Sequence, residues 1–217
     1  MMRQFLYTCC LGLLAPLAAA AQSDCPQGLA RDGVWLEFPD RAVLTRVMAD
    51  GRINEMEFAH DGSYIYGYLT LPSGLVVEGW ALENGYSPSS EHETVTYVGT
   101  PDPVPVPAPG VRFDGISTST YGDGSVVRST VNLVVGEPQP VTIGDCTYTG
   151  LPVDVTRVEM GGGVPQRDAM MYLSELGLTI YLAFAEMDAP TEVELPISIS
   201  LDPPRPAEEG DFVPEQK

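Results

Sequence analysis

Short apolar or alternating runs recur from residue 34 to residue 201, cut apart by Gly, Pro, Asp and Ser at nearly even spacing. This punctuation constrains the fold more than any other feature. Period-two runs that end in turn residues form antiparallel strands, and there is no room between them for crossover helices. The predicted strands are Val34–Phe38, Ala42–Ala49, Arg52–Phe58, Ser63–Leu71, Leu75–Leu82, Glu93–Val98 and Val111–Thr120. They continue with Ser125–Val135, Pro140–Ile143, Thr147–Thr149, Val153–Met160, Arg167–Leu173, Leu178–Phe184 and Val193–Leu201. Asp50-Gly51, Asp61-Gly62, Pro72-Ser73-Gly74, Gly122-Asp123-Gly124 and Gly161-Gly162-Gly163 supply the tight turns between neighbours. The expected fold is all-β: an antiparallel meander forming a curved sheet, half-barrel or sandwich.

The N-terminus reads as an address. Arg3 precedes an apolar run from Phe5 to Leu17, and alanines fill positions 18–21. That is a general secretory signal with small residues at the cleavage site, so residues 1–21 are expected to be removed and the protein to be periplasmic or secreted. The apolar run is too short to span a bilayer, and the mature chain offers no other transmembrane segment. Removal takes Cys9 and Cys10 and leaves Cys25 and Cys146. Two cysteines in an exported chain most simply form one disulfide, and this one would tie the mature N-terminus to a point past the middle.

That bridge bears on domain organisation. Thr100–Gly110 alternates proline with other residues and favours an extended conformation without ladder bonds. It is either a linker between halves 22–99 and 111–201 or a stiff strap across one β domain spanning 22–201. A disulfide crossing it favours the strap. In Val193–Leu201, Val193, Leu195, Ile197, Ile199 and Leu201 share one face, and Pro196 marks an edge strand. Residues 202–217 are a proline-rich acidic tail expected to be disordered.

The 217 residues carry 30 acids against 11 bases, a formal charge of −19, which argues against a nucleic-acid partner. Catalytic motifs are missing. There is no G-x-S-x-G elbow for a serine hydrolase and no cysteine or histidine cluster spaced for zinc. His60 and His92 lie in polar turn segments, where surface histidines are ordinary. Lys217 is the only lysine, which removes Schiff-base and phosphate-loop chemistry. No catalytic residue, metal ligand or cofactor is assigned.

Surface character remains. Tyr64, Tyr66 and Tyr68 alternate along one strand, with Ile65, Leu69 and Leu71 on its other face, and Trp80 lies on the strand expected to pair with it. Together they are the candidate ligand-binding face, an aromatic surface lining a cleft on a curved sheet. Trp35, Phe38, Phe58, Tyr181 and Phe184 read as ordinary core.

Val141-Thr142-Ile143-Gly144-Asp145-Cys146-Thr147-Tyr148, followed by Met171-Tyr172-Leu173-Ser174-Glu175-Leu176-Gly177-Leu178, resembles a hairpin of uncharacterised proteobacterial periplasmic β-sheet proteins. Some of these are similar to the lipoprotein-carrier fold, a curved antiparallel half-barrel. The resemblance implies such a half-barrel. The expected function, resting on the aromatic face of Tyr64, Tyr66, Tyr68 and Trp80, is non-enzymatic: binding an apolar small molecule or a cell-envelope partner. The alternatives are a carboxylate-dependent hydrolase and a structural or assembly protein of the envelope.

Overall fold

The computed structural model of the protein describes residues 25–82, 87–186 and 193–204. The predicted signal segment and residues 205–217 of the predicted tail lie outside the described residues. The strands are β1 (Val34–Glu37), β2 (Arg41–Val47), β3 (Ile53–Ala59), β4 (Tyr64–Thr70), β5 (Val76–Ala81), β6 (His92–Thr100) and β7 (Arg112–Tyr121). They continue with β8 (Val126–Val135), β9 (Gln139–Ile143), β10 (Cys146–Glu159), β11 (Gln166–Leu173), β12 (Leu178–Glu186) and β13 (Ser198–Ser200). All belong to one curved antiparallel sheet, ordered β12-β11-β10-β8-β7-β6-β5-β4-β3-β2-β1-β13, with β9 beside the first part of β10. The turns form as their residues dictate. Asp50, Asp61 and Asp123 each accept the backbone N–H two residues on, at 3.1, 2.8 and 2.8 Å, and Gly51, Gly62 and Gly124 take the positive φ that closes each hairpin.

Three expectations need correction. Thr147–Thr149 and Val153–Met160 are one continuous strand, β10, running through Pro152. Pro152 falls where the partner of β10 changes from β9, ending at the Gly150↔Gln139 pair, to β8, starting at Val153↔Val135. Its carbonyl accepts from Gly136 N–H at 2.8 Å on that same side, so its missing N–H faces a gap in the ladder.

The second correction is at the C-terminus, where only Ser198–Ser200 is strand. Val193, Leu195 and Ile197 are exposed and Pro196 is buried, so the predicted apolar face is not an inner face. The segment changes partner instead of running straight. Glu194 N–H donates to Leu182 of β12 at 3.0 Å, and Ile197 N–H donates to Glu37 of β1 at 2.7 Å. Third, Tyr181 and Phe184 are 43% and 53% exposed, and Trp35 and Phe58 are half-buried; of the aromatics read as core, Phe38 alone is buried.

The proline segment 100–110 joins β6 to its direct neighbour β7, with Pro107 buried and Val104 packed on the core.

The sheet rolls on itself. One core joins the inner faces of β5–β8 to β10 and β11 through Leu75, Phe113, Leu133, Val155, Met170 and Tyr172. A second joins Val34, Leu36, Phe38 and Ile53 to Met171, Leu173, Ile180 and Leu182. Met170 and Met171 point to opposite faces yet are 3% and 7% exposed. The β11–β12 end is therefore covered on both sides, lying within the curl of β1–β3. The N-terminal segment closes one end of this seam: Ala30 N–H donates to Leu176 at 3.2 Å and its carbonyl accepts from Val47 at 2.9 Å. The Cys25–Cys146 disulfide (S–S 2.09 Å) fastens that segment to the β9–β10 hairpin, and Tyr148 OH adds a bond to Pro26 O at 3.2 Å.

Candidate functional site

Between the concave face of β1–β5 and the inner face of β10–β12 lies a cavity of about 500 Å³. Strand parity decides what reaches it. Across β3 and β4, Glu55 is paired with Tyr68 and Glu57 with Tyr66, so these four side chains share the cavity face. Opposite them, Asp168 and Met170 of β11 share a face with Phe184 and Tyr181 of β12. A bulge at Leu182 is what brings Tyr181 and Phe184, three residues apart, to the same side. Leu36, Phe38, Val43, Val76 and Ile180 complete the apolar wall.

The polar groups form a layered cluster. Arg41 lies over the Phe38 ring, 4.2 Å from its centroid, and reaches Asp40 at 2.7 Å, Glu194 at 3.0 Å and Glu57 at 3.4 Å. Burial works against its charge, but Glu194 and the other two acids more than offset this and raise its pKa. Burial raises Glu57, with Arg41 opposing. Across the cavity, buried Asp168 is ion-paired to Arg157 at 2.8 Å and accepts the Tyr181 hydroxyl at 3.0 Å. Burial still pushes its pKa up against both partners. Tyr68 is pushed up to about 12 by burial, with Glu57 adding to the effect.

Glu55 differs from the other acids. Its Oε1 accepts the Thr70 hydroxyl at 3.1 Å, and among the described residues it has no cationic partner. Burial, reinforced by neighbouring Glu57 and opposed by the Thr70 bond, pushes its pKa up to about 7.

The four sequence-predicted residues divide between two faces. Tyr66 and Tyr68 line the cavity, their rings 6.1 Å apart and inclined by only 16°. Tyr64 points the other way. The register slips between Glu57 and Phe58, leaving Ile65 as the extra residue, so Tyr64 pairs with Phe58 on the outer face. There its hydroxyl accepts from Trp80 Nε1 at 2.9 Å, and the two rings cover Gly67, where a Cβ would collide with both. Trp35, Phe58, Tyr64 and Trp80 thus make a separate outer aromatic cluster.

Sequence reading missed Arg41, Glu55, Glu57, Arg157 and Asp168. The alternation in Ile53-Asn54-Glu55-Met56-Glu57-Phe58 suggests Met56 and Phe58 inward, the reverse of what occurs. The usable signal was Ile53, fully buried and of the same parity as both glutamates. His60 and His92 sit outside the cavity, bonded to Pro39 O at 2.6 Å and to Glu78 at 2.9 Å. Among the described residues no group of three or more His, Cys, Asp or Glu is placed to hold a metal ion, and no helix is long and apolar enough to cross a membrane.

A rolled antiparallel sheet enclosing an aromatic, acid-bearing cavity is the class of architecture defined here. Comparison with protein-family models, with curated proteins and with solved structures finds no match to this chain.

Proposed function

We propose that this is a non-enzymatic, exported binding protein that holds a small molecule with an apolar body inside the rolled sheet. The observation that carries this reading is the cavity itself. Its volume of about 500 Å³ falls in the roughly 300–1,000 Å³ range of small-molecule sites. Its wall combines Leu36, Phe38, Val43, Val76 and Ile180 with a few convergent polar groups, the pattern by which such sites hold and orient a ligand. The signal-like N-terminus and the disulfide support an exported setting, periplasmic or secreted. Thermal-shift screening of the purified protein against amphipathic small molecules tests the reading. A stabilising ligand whose effect is lost in Val76→Phe, which fills the cavity, supports it. A hit indifferent to that substitution, or a broad panel without hits, overturns it.

One observation favours a second reading, a carboxylate-dependent hydrolase. Glu55 and Glu57 share a cavity face, and Glu55 is the one poised near neutrality, as an acid–base pair requires. Turnover of ester or glycoside substrates that vanishes in Glu55→Gln is the result that establishes it.

A further inference from the structure

We propose that the ligand of this cavity is an organic cation, an amine or quaternary ammonium on an apolar body, seated between Glu55 and the stacked rings of Tyr66 and Tyr68. The inference rests on the binding reading above and adds the chemical class of the ligand.

The charges lining the cavity are not symmetric. Three carboxylates, Glu55, Glu57 and Asp168, face two guanidiniums, Arg41 and Arg157. Both guanidiniums are already engaged. Arg41 is shared among Asp40, Glu57 and Glu194 and rests on the Phe38 face. Arg157 is held by Asp168, 2% exposed. An entering anion would find no uncommitted cation in the wall and would have to approach three carboxylates. An entering cation finds Glu55, whose one side-chain hydrogen bond among the described residues is the Thr70 hydroxyl on Oε1.

The aromatic groups point the same way. Tyr68 lies directly across the β3–β4 ladder from Glu55, and Tyr66 directly across from Glu57. The paired rings, 6.1 Å apart, offer π faces beside the carboxylates. Ring faces attract alkylammonium groups and carry no attraction for carboxylates. The apolar body of the ligand then lies toward Val43, Val76 and Ile180. The chain as a whole, at −19, raises the local concentration of cations around the entrance.

Three probes with one apolar body separate charge from shape: 4-phenylbutylamine, 4-phenylbutanol and 4-phenylbutyrate, titrated calorimetrically into the purified protein at pH 8. The expected order is amine tightest, by about tenfold or more over the alcohol, with the carboxylate weakest. In Glu55→Gln the amine should fall to the alcohol's affinity while the alcohol is unchanged. Equal binding of all three, or preference for the carboxylate, overturns the cation assignment and leaves the cavity reading standing. An amine preference that survives Glu55→Gln also overturns it. Failure of all three to bind overturns the cation assignment; the cavity reading falls with it only if the broad thermal-shift panel is also without hits.

Discussion

Glu55 is the residue at which chemistry and stability meet. Burial, with neighbouring Glu57 adding to it, pushes its carboxyl from an ordinary 4.5 up to about 7, and the Thr70 hydroxyl opposes this only in part. A raised acid gives the folded state extra bound protons, so its contribution is fully present below pH 4.5 and is lost as pH rises to about 7. Glu55→Gln should therefore be near neutral at pH 4 and stabilise the empty protein above pH 7. Discounted for partial solvent access, the gain is about 1–3 kcal/mol. Urea unfolding of both proteins at pH 4 and pH 8 checks this; an equal effect at both would show that ionisation is not the cause. Sequence alternation located Tyr66 and Tyr68 on a common face, and the ladder keeps them there. Tyr64 escaped the same rule because a bulge at Ile65 leaves no signature in residue type. The two glutamates escaped because a polar residue on a strand is read as outward by default, and only the rolled shape turns that face inward.

Most strands were legible, because a hairpin needs only alternation and a turn residue, both local. What was not local was misread. The alternation across Val193–Leu201 is regular enough to predict one strand, yet its first half bonds to β12 and its last residues to β1. The ends of a rolled sheet decide that, and no window of the sequence contains both ends. The segment hydrogen-bonds to both ends of the sheet, and its Glu194 pairs with Arg41 of β2. A chain ending at residue 192 should thus bare the outer edges of β1 and β12 together. Unpaired edges recruit other edges, so the truncated protein should self-associate in size-exclusion chromatography with light scattering. A well-behaved monomer would show that the seam needs no bridge.

The disulfide acts on the molecule as a whole. It closes a loop of 121 residues that contains β1 to β9, so opening it frees most of the sheet's circumference in the unfolded chain. The chain-entropy model puts the loss at roughly 4–5 kcal/mol, and Cys25→Ser with Cys146→Ser should lower the guanidinium midpoint accordingly. An unchanged midpoint would mean that the N-terminal segment holds its place through Ala30 and Pro26 alone. The same bridge was readable from the two cysteines that lie outside the predicted signal segment, whereas the overlap of β11–β12 with β1–β3 was not, because it depends on how far the sheet curls.

Pairing β1 with β13 also has a consequence in time. A chain emerges N-terminus first, at about 5–20 residues per second. Glu37 and Ser198, bonded in the finished molecule, are 161 residues apart. Roughly 8–32 s of synthesis separates them at that rate. The first strand made is the last to be covered, so the outer edge of β1 stays open until Ser198–Ser200 has been made.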